Sequence, residues 1–353
     1  MQIVKSIEDL QRQVADIRTL RLGFVTNFYL DPVKHSIWIE KGDCFTERVA
    51  DTLFVIKQSL SFWNVFYCST SIDALGNDME LFLTRYSDRI MMYDLVGRDI
   101  QTKPLVDLFK ARGCREASSL VRMTRMTEPI DYFPDATIRP ATEKDLPWVS
   151  RQLHQYFDER VEQIPYDEEL MDFIRHGCIL ICEEDSNKAG FLVYESNATT
   201  LYLRYWFTNP DYRDKKVGSR LLRRFLEVGK ATKRQMLWVI RTNETAKVRY
   251  QHYGFAEENM YDYVMEYNSD QETNITMEEQ IIRILTELRP EFDFTQKDID
   301  FIEEGMLDSF DLVTLVSELD NYYGISIDGL DILPENFCSV DAITKLLIKN
   351  GAK

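Results

Sequence analysis

Residues 200–228 read TLYLRYWFTNPDYRDKKVGSRLLRRFLEV. The run from Thr200 to Phe207 is aliphatic and aromatic and ends at Asn209-Pro210, the pattern of a strand entering a turn. From Val217 onward, Val217, Leu221, Phe225 and Val228 fall at helical spacing. A short basic loop joins the two. Such a unit can hold an anion, because unpaired backbone N–H groups and the positive end of the helix dipole point into the loop. Gly218 lets a phosphate approach the main chain, while Arg213, Lys215 and Lys216 add charge. The plainer reading of the same residues is a solvated basic loop that caps an amphipathic helix.

Outward from this stretch the pattern keeps alternating. ATIRPAT, GCILICEE, KAGFLVYES and QMLWVI read as strands; LPWVSRQLHQYF, DEELMDFI and TAKVRYQHY read as helices. The class is mixed α/β. Further upstream HSIWIEKG, TLFVIK, FWNVFYCST and IMMYDLVG read as strands, with helices at IDALGNDMELFLTRY and TKPLVDLFKARG.

The chain has 353 residues, 42 basic against 59 acidic, for a formal charge of −17. That balance argues against a phosphate backbone or an anionic bilayer as partner. No stretch reaches the 18 or more apolar residues of a membrane span, and MQIVKSIEDLQRQVADI has no signal-like apolar core, so a cytoplasmic location is expected. Six scattered cysteines suggest neither a disulfide framework nor a metal site. The charge is uneven: residues 270–353 carry 19 acidic and 6 basic side chains. Such a shift marks a separate module. The expected organisation is an α/β domain over 1–128, a second over 136–268, a polar linker over 269–276 and a helical module over 277–353.

The middle segment resembles the GNAT superfamily of acyl-CoA-dependent N-acyltransferases. That family's pyrophosphate loop, Q/R-x-x-G-x-G/A, is approached by Arg213-Asp214-Lys215-Lys216-Val217-Gly218; Lys216 stands where the first glycine belongs and adds a cation. About thirty residues on, N-x-x-A-x-x-x-Y-x-x-x-G-F is met by Asn243, Ala246, Tyr250, Gly254 and Phe255. The resemblance implies a mixed-sheet fold with acetyl-CoA or another acyl-CoA as cosubstrate. The backbone of Trp206, Phe207 and Thr208 would pair with pantetheine amides, and the N–H groups of Lys215 to Ser219 would hold the pyrophosphate. Asn243 would bind near the pantetheine arm, with Ala246 in the same motif, and Tyr250 would protonate the departing thiolate. The strand Leu201 to Phe207 offers no acid as general base, which leaves Glu195, His154 and Tyr205 as candidates, with Glu195 as the carboxylate among them.

Placing Gly113-Cys114 over Gly254-Phe255 sets Phe109 opposite Tyr250, Leu105 opposite Ala246 and Thr102 opposite Asn243. The first segment therefore reads as a degenerate, inactive copy in a tandem arrangement; an unrelated α/β domain is the alternative.

In the acidic module, Ile281, Leu285 and Leu288, then Leu312, Leu315, Val316 and Leu319, then Ile343, Leu346 and Leu347 form helical stripes. Asp308-Ser309 before the second stripe is ordinarily an N-cap. The stretch is also similar to phosphopantetheine carrier proteins of the D-alanyl and peptidyl type. Gly305, Leu307, Asp308, Ser309 and Phe310 meet the core G-x-L-D-S pattern, and Tyr323-Gly324-Ile325-Ser326-Ile327 the downstream turn. That resemblance implies a small four-helix bundle with a 4′-phosphopantetheine arm on Ser309. The implied partners are a phosphopantetheinyl transferase and an adenylating ligase that loads the carrier.

Together these readings imply transfer of an acyl group, acetyl foremost, to a small amine or to an aminoacyl group held on the carrier. S-acylation of the carrier thiol and a non-catalytic scaffold that only grips the pantetheine arm are the alternatives.

Overall fold

The computed structural model describes residues 1–19, 23–130, 134–269, 277–296 and 299–352. The chain divides into two units, Met1–Ser269 and Asp270–Lys353. Residues 270–276 of the expected linker lie outside the described residues, as do 131–133 between the two expected α/β segments.

Within the first unit one order of elements occurs twice, except that the first pass has a strand, Val25–Thr26, where the second has a helix, Glu159–Glu162. The first pass runs β1 (Gln2–Ile3), α1 (Ile7–Arg18), β2 (Val25–Thr26), α2 (Pro32–Glu40), β3 (Cys44–Val49), β4 (Thr52–Gln58), β5 (Trp63–Ser69), α3 (Ile72–Arg85), β6 (Met91–Gly97), α4 (Asp99–Ala111) and β7 (Arg115–Met126). The second runs β8 (Ile138–Pro140), α5 (Leu146–Tyr156), α6 (Glu159–Glu162), α7 (Asp167–Arg175), β9 (Ile179–Glu184), β10 (Asn187–Ser196), β11 (Thr200–Thr208), α8 (Val217–Val228), β12 (Arg234–Ile240), α9 (Glu244–His252) and β13 (Ala256–Tyr267). Gly113 and Gly254, at φ +81° and +83°, make the same left-handed turn out of α4 and α9, a conformation that glycine adopts without a Cβ penalty.

All thirteen strands join one mixed sheet in the order β1-β3-β4-β5-β6-β13-β7-β12-β11-β10-β9-β8, with β2 on β5. The two passes exchange their last strands. β7, from the first pass, pairs with β12, and β13, from the second, pairs with β6, while β7 and β13 pair with each other. Only β5 with β6 and β11 with β12 run parallel, and both parallel pairs are short before they splay.

One expected strand is a helix. HSIWIEKG lies largely in α2, because Asp31 accepts from the N–H groups of Val33 and Lys34 and Pro32 stands in the first turn. His35 and Trp38, three apart, then share the buried face. The apolar run Ile37-Trp38-Ile39 reads as a strand by itself, but the Asp31-Pro32 start ahead of it sets the helix.

The second unit holds α10 (Met277–Leu288), α11 (Ser309–Tyr323) and α12 (Val340–Lys349) around Ile281, Leu285, Phe301, Leu315 and Leu347. The expected four-helix bundle has three α-helices among the described residues. Between α11 and α12 stand 3₁₀ turns at Gly329–Asp331 and Pro334–Asn336, where a glycine and a proline weaken a fourth helix.

Candidate active site

The site begins at a single extra residue in β11. Val193 and Tyr194 of β10 face Tyr205 and Leu203 of β11, so Arg204 is bulged out between them. A bulge bends its strand and sharpens its twist. Parallel pairing of β11 with β12 accordingly ends at Leu203↔Leu237, and from Arg204 the two strands part. On that side the backbone groups of β11 are left without a strand partner, and such groups need partners.

A cleft of about 820 Å³ opens in the gap. Trp206, Phe207 and Thr208 form one wall; Lys216, Val217, Gly218 and Ser219 close one end; Asn243, Ala246 and Tyr250 come from α9. Lys215 does not line it, and the Arg213 side chain lies outside the described residues. Leu221, Leu222, Phe225 and Leu226 bury the inner face of α8. At roughly 1.5–3 kcal/mol for each buried apolar side chain, that face fixes where the helix begins. Its first turn carries no side-chain cap, so the orphan N–H groups of that turn face the cleft. Gly218 is required by contact: a Cβ there would stand 2.9 Å from Trp206 and 3.1 Å from Thr208 Oγ1.

Lys216 adopts φ +54°, ψ +26°, the left-handed conformation that the missing glycine would take freely. For a lysine this costs about 1–2 kcal/mol. Lys216→Gly is therefore expected to raise unfolding stability by up to about 1 kcal/mol, the gain being reduced by glycine's unfolded-state entropy, while weakening anion binding through loss of the cation. Denaturant melts and acyl-CoA titrations of the same sample check both halves of this.

Asn243 Oδ1 caps α9 by accepting from Ala246 N–H at 3.0 Å. Tyr250 is 8% exposed and packs against Trp206, ring centroids 5.6 Å apart. Burial raises its pKa, so the phenol keeps its proton at neutral pH. Arg249 lies over the Trp206 ring at 5.8 Å.

None of the expected bases stands in the cleft. Glu195 is on β10, across β11 from the gap, where it pairs with Arg204 at 3.3 Å and lines a different cavity. This corrects the assignment of Glu195 as the catalytic carboxylate. His154 is exposed and bound to Glu159. Tyr205 spends its hydroxyl on the carbonyls of Glu162 and Gln163, at 2.9 and 3.1 Å.

The carboxylate that does line the cleft is Glu162, at the end of α6. Burial raises its pKa to about 7. Its only signal in the sequence was an acid in the polar DERVEQ segment between two amphipathic helices, and nothing there indicated burial.

Among the described residues the first pass closes the corresponding gap. Ser71 Oγ caps α3 by accepting from Ala74 N–H at 3.0 Å. β2 fills the gap where β5 leaves β6, pairing Val25↔Ser69 and Thr26↔Cys68. Both features that open the second-pass site, the free helix end and the bare strand edge, are closed by the chain itself.

In the second unit Ser309 is exposed in the first turn of α11, following Asp308, whose carboxylate caps Phe310 and Asp311 N–H. Phe310 and Val313 are exposed beside it, at 86% and 68%.

Residues 145–255 match the model of the acetyltransferase (GNAT) family. No curated protein matches the chain. Among solved structures it is similar to a GCN5-related N-acetyltransferase from Sphaerobacter thermophilus, with 11% identity and TM-score 0.45, covering 61% of this chain and 80% of that one. A tandem GNAT protein from the clavulanic acid biosynthesis pathway is 10% identical with TM-score 0.47, covering 75% and 96%. A GNAT-family acetyltransferase from Colwellia psychrerythraea is 10% identical with TM-score 0.46, covering 76% and 99%.

Proposed function

From a chain that carries a GNAT acetyltransferase domain over residues 145–255 and is an acyl-CoA-dependent acyltransferase, we propose the following specific role. The enzyme moves an acyl group, acetyl foremost, from acyl-CoA to an amine on a substrate that the helical unit carries. The observation behind this reading is the uncapped start of α8 beside the splayed β11 and β12, with Tyr250 and Glu162 lining the same cleft.

The open edge of β11 at Trp206 to Thr208 takes the pantetheine amides, and the N–H groups from Lys216 to Ser219 take the pyrophosphate; Lys215, expected to join them, does not line the cleft. Asn243 lies near the pantetheine arm. The thioester carbonyl then sits between the splayed strands. Glu162 removes a proton from the acceptor ammonium and the freed nitrogen attacks the carbonyl. As the C–S bond breaks, the sulfur takes the Tyr250 proton. As the adduct collapses the nitrogen gives up its second proton, which restores the phenol through water, and Glu162 releases its proton to solvent; the products are an amide, free coenzyme A and one proton. The first pass serves as a closed, inactive copy that walls the acceptor side.

Ser309 fits a 4′-phosphopantetheine attachment: its side chain is exposed at a helix start, where the helix dipole favours a phosphodiester. The group, attached by a phosphopantetheinyl transferase, would supply a thiol that bears cargo loaded by an adenylating ligase. Placing both functions in one polypeptide raises the effective concentration of the cargo at the cleft. Direct S-acylation of that thiol is the alternative; Glu162 in the cleft supplies the base that an ammonium acceptor needs and so favours the amine.

Incubating loaded holo protein with radiolabelled acetyl-CoA tests the reading. Label on the amine of the released cargo is expected; label on the arm alone, or no transfer despite binding, overturns it. Tyr250→Phe is expected to lower kcat about 10²-fold while leaving acyl-CoA affinity unchanged, as titration calorimetry beside initial rates would show.

A further inference from the structure

A second cavity, of about 390 Å³, adjoins the cleft and is walled by both passes. Leu120, Glu162, Arg204 and Trp238 line the cleft and this cavity alike, so an acceptor lying in it reaches Glu162. Deeper in stand Asp94 of β6 and Asp262 of β13, on strands brought together by the exchange. Asp262 lies opposite Val96 and Asp94 opposite Val264, so the two carboxyls are diagonal neighbours on one face of the sheet.

They are poorly matched by their surroundings. Asp94 accepts from the side-chain amide of Gln163. Asp262 Oδ1 is buried with no hydrogen-bond partner among the described residues. Burial raises the pKa of Asp94 to about 6, and burial together with the Asp94 charge beside it raises that of Asp262. Two facing carboxyls with an orphan oxygen are relieved by a bound proton or by a cation that joins them. Arg204 is not that cation: it pairs with Glu195 and lies over the Tyr202 and Tyr205 rings at 5.3 and 5.8 Å. Lys34, in the adjoining cavity, reaches Gln163 Oε1 at 3.5 Å. The remaining walls include the aromatic rings of Tyr29, Phe66 and Trp238, surfaces that suit an ammonium.

Resting on the acyltransferase reading above, we propose that this cavity is the acceptor site and that it selects an acceptor with two cationic amines. The amine to be acylated lies beside Glu162, and the second ammonium is held by Asp94 and Asp262 against the aromatic walls.

Calorimetry and steady-state kinetics on the full-length protein, with 1,4-diaminobutane and n-butylamine as probes, test this. The diamine is expected to bind about tenfold or more tightly than the monoamine, a charged hydrogen bond's worth of discrimination. Asp262→Asn and Asp94→Asn, which keep side-chain shape, should each remove most of that preference and raise KM for the diamine about tenfold. KM for the monoamine and acetyl-CoA affinity should stay unchanged, which also shows that the variants fold. Equal binding of the two probes to the wild type, or a preference that survives both substitutions, overturns the proposal. Failure of the acyltransferase reading would look different: the diamine preference would persist while acetyl-CoA gave no acylated product.

Discussion

Glu162→Gln is expected to lower kcat by about 10²- to 10⁴-fold, the usual range for loss of a positioned general base. The wild-type rate should show an acid limb centred near 7, because burial raises the pKa of Glu162 to about 7 and only the ionised form accepts a proton. Activity thus rises with pH through that point. In the glutamine variant this limb should disappear from the residual rate. Acyl-CoA affinity should be retained, since the uncapped start of α8, proposed to hold the pyrophosphate, is on another element. Stability moves the other way. A carboxyl whose folded pKa, about 7, lies above its ordinary 4.5 costs stability progressively as pH rises between those values, so the variant should gain on wild type across that window and hold the gain above 7. Rate profiles and denaturant melts at pH 6 and 8 supply both readouts. An acid limb that survives in Glu162→Gln would assign the base elsewhere.

Ser309→Ala has an all-or-none expected result. Coexpressed with a phosphopantetheinyl transferase, wild-type protein gains the mass of the arm and Ser309→Ala does not. The variant should bind acyl-CoA normally and acylate a free small amine, yet transfer nothing to carrier-borne cargo. Ser309 sits in the first turn of α11 and is exposed, so alanine there should shift stability by no more than about 0.5 kcal/mol. Equal masses for the two proteins would remove the carrier role.

The strand-loop-helix unit from β11 to α8 was legible because its parts are local. A strand ending at Asn209-Pro210, a basic turn and the Val217-Leu221-Phe225 stripe occupy fewer than thirty consecutive residues, and each obeys a short-range rule. Lys216 in a glycine conformation shows the limit of motif spacing: residue identity departs while the backbone keeps its path. Glu162 was illegible for the opposite reason. Its position and raised pKa depend on burial in a fold assembled from distant segments, and its own helix is four residues long. Glu195 was attractive through proximity in sequence to β11, but a neighbouring strand in the sheet puts it beyond the gap. The repeat could be read from aligned Gly113 and Gly254, whereas the exchange of β7 and β13 is a matter of register between remote strands and leaves no periodic trace.

That exchange bears on how the polypeptide reaches its native state. β6 ends at Gly97, but the strand that completes its edge begins only at Ala256. During synthesis an amino-terminal intermediate therefore waits, with an unprotected edge, for more than half of the unit to emerge. Closure must pay the loop entropy of that long span before the pairing rewards it, a recipe for slow annealing and for mispairing between neighbouring chains at high concentration. Neither pass cut out alone, at residue 128 or from residue 136, should behave as an independent folding module, and mixing the two fragments should recover soluble material that each lacks separately.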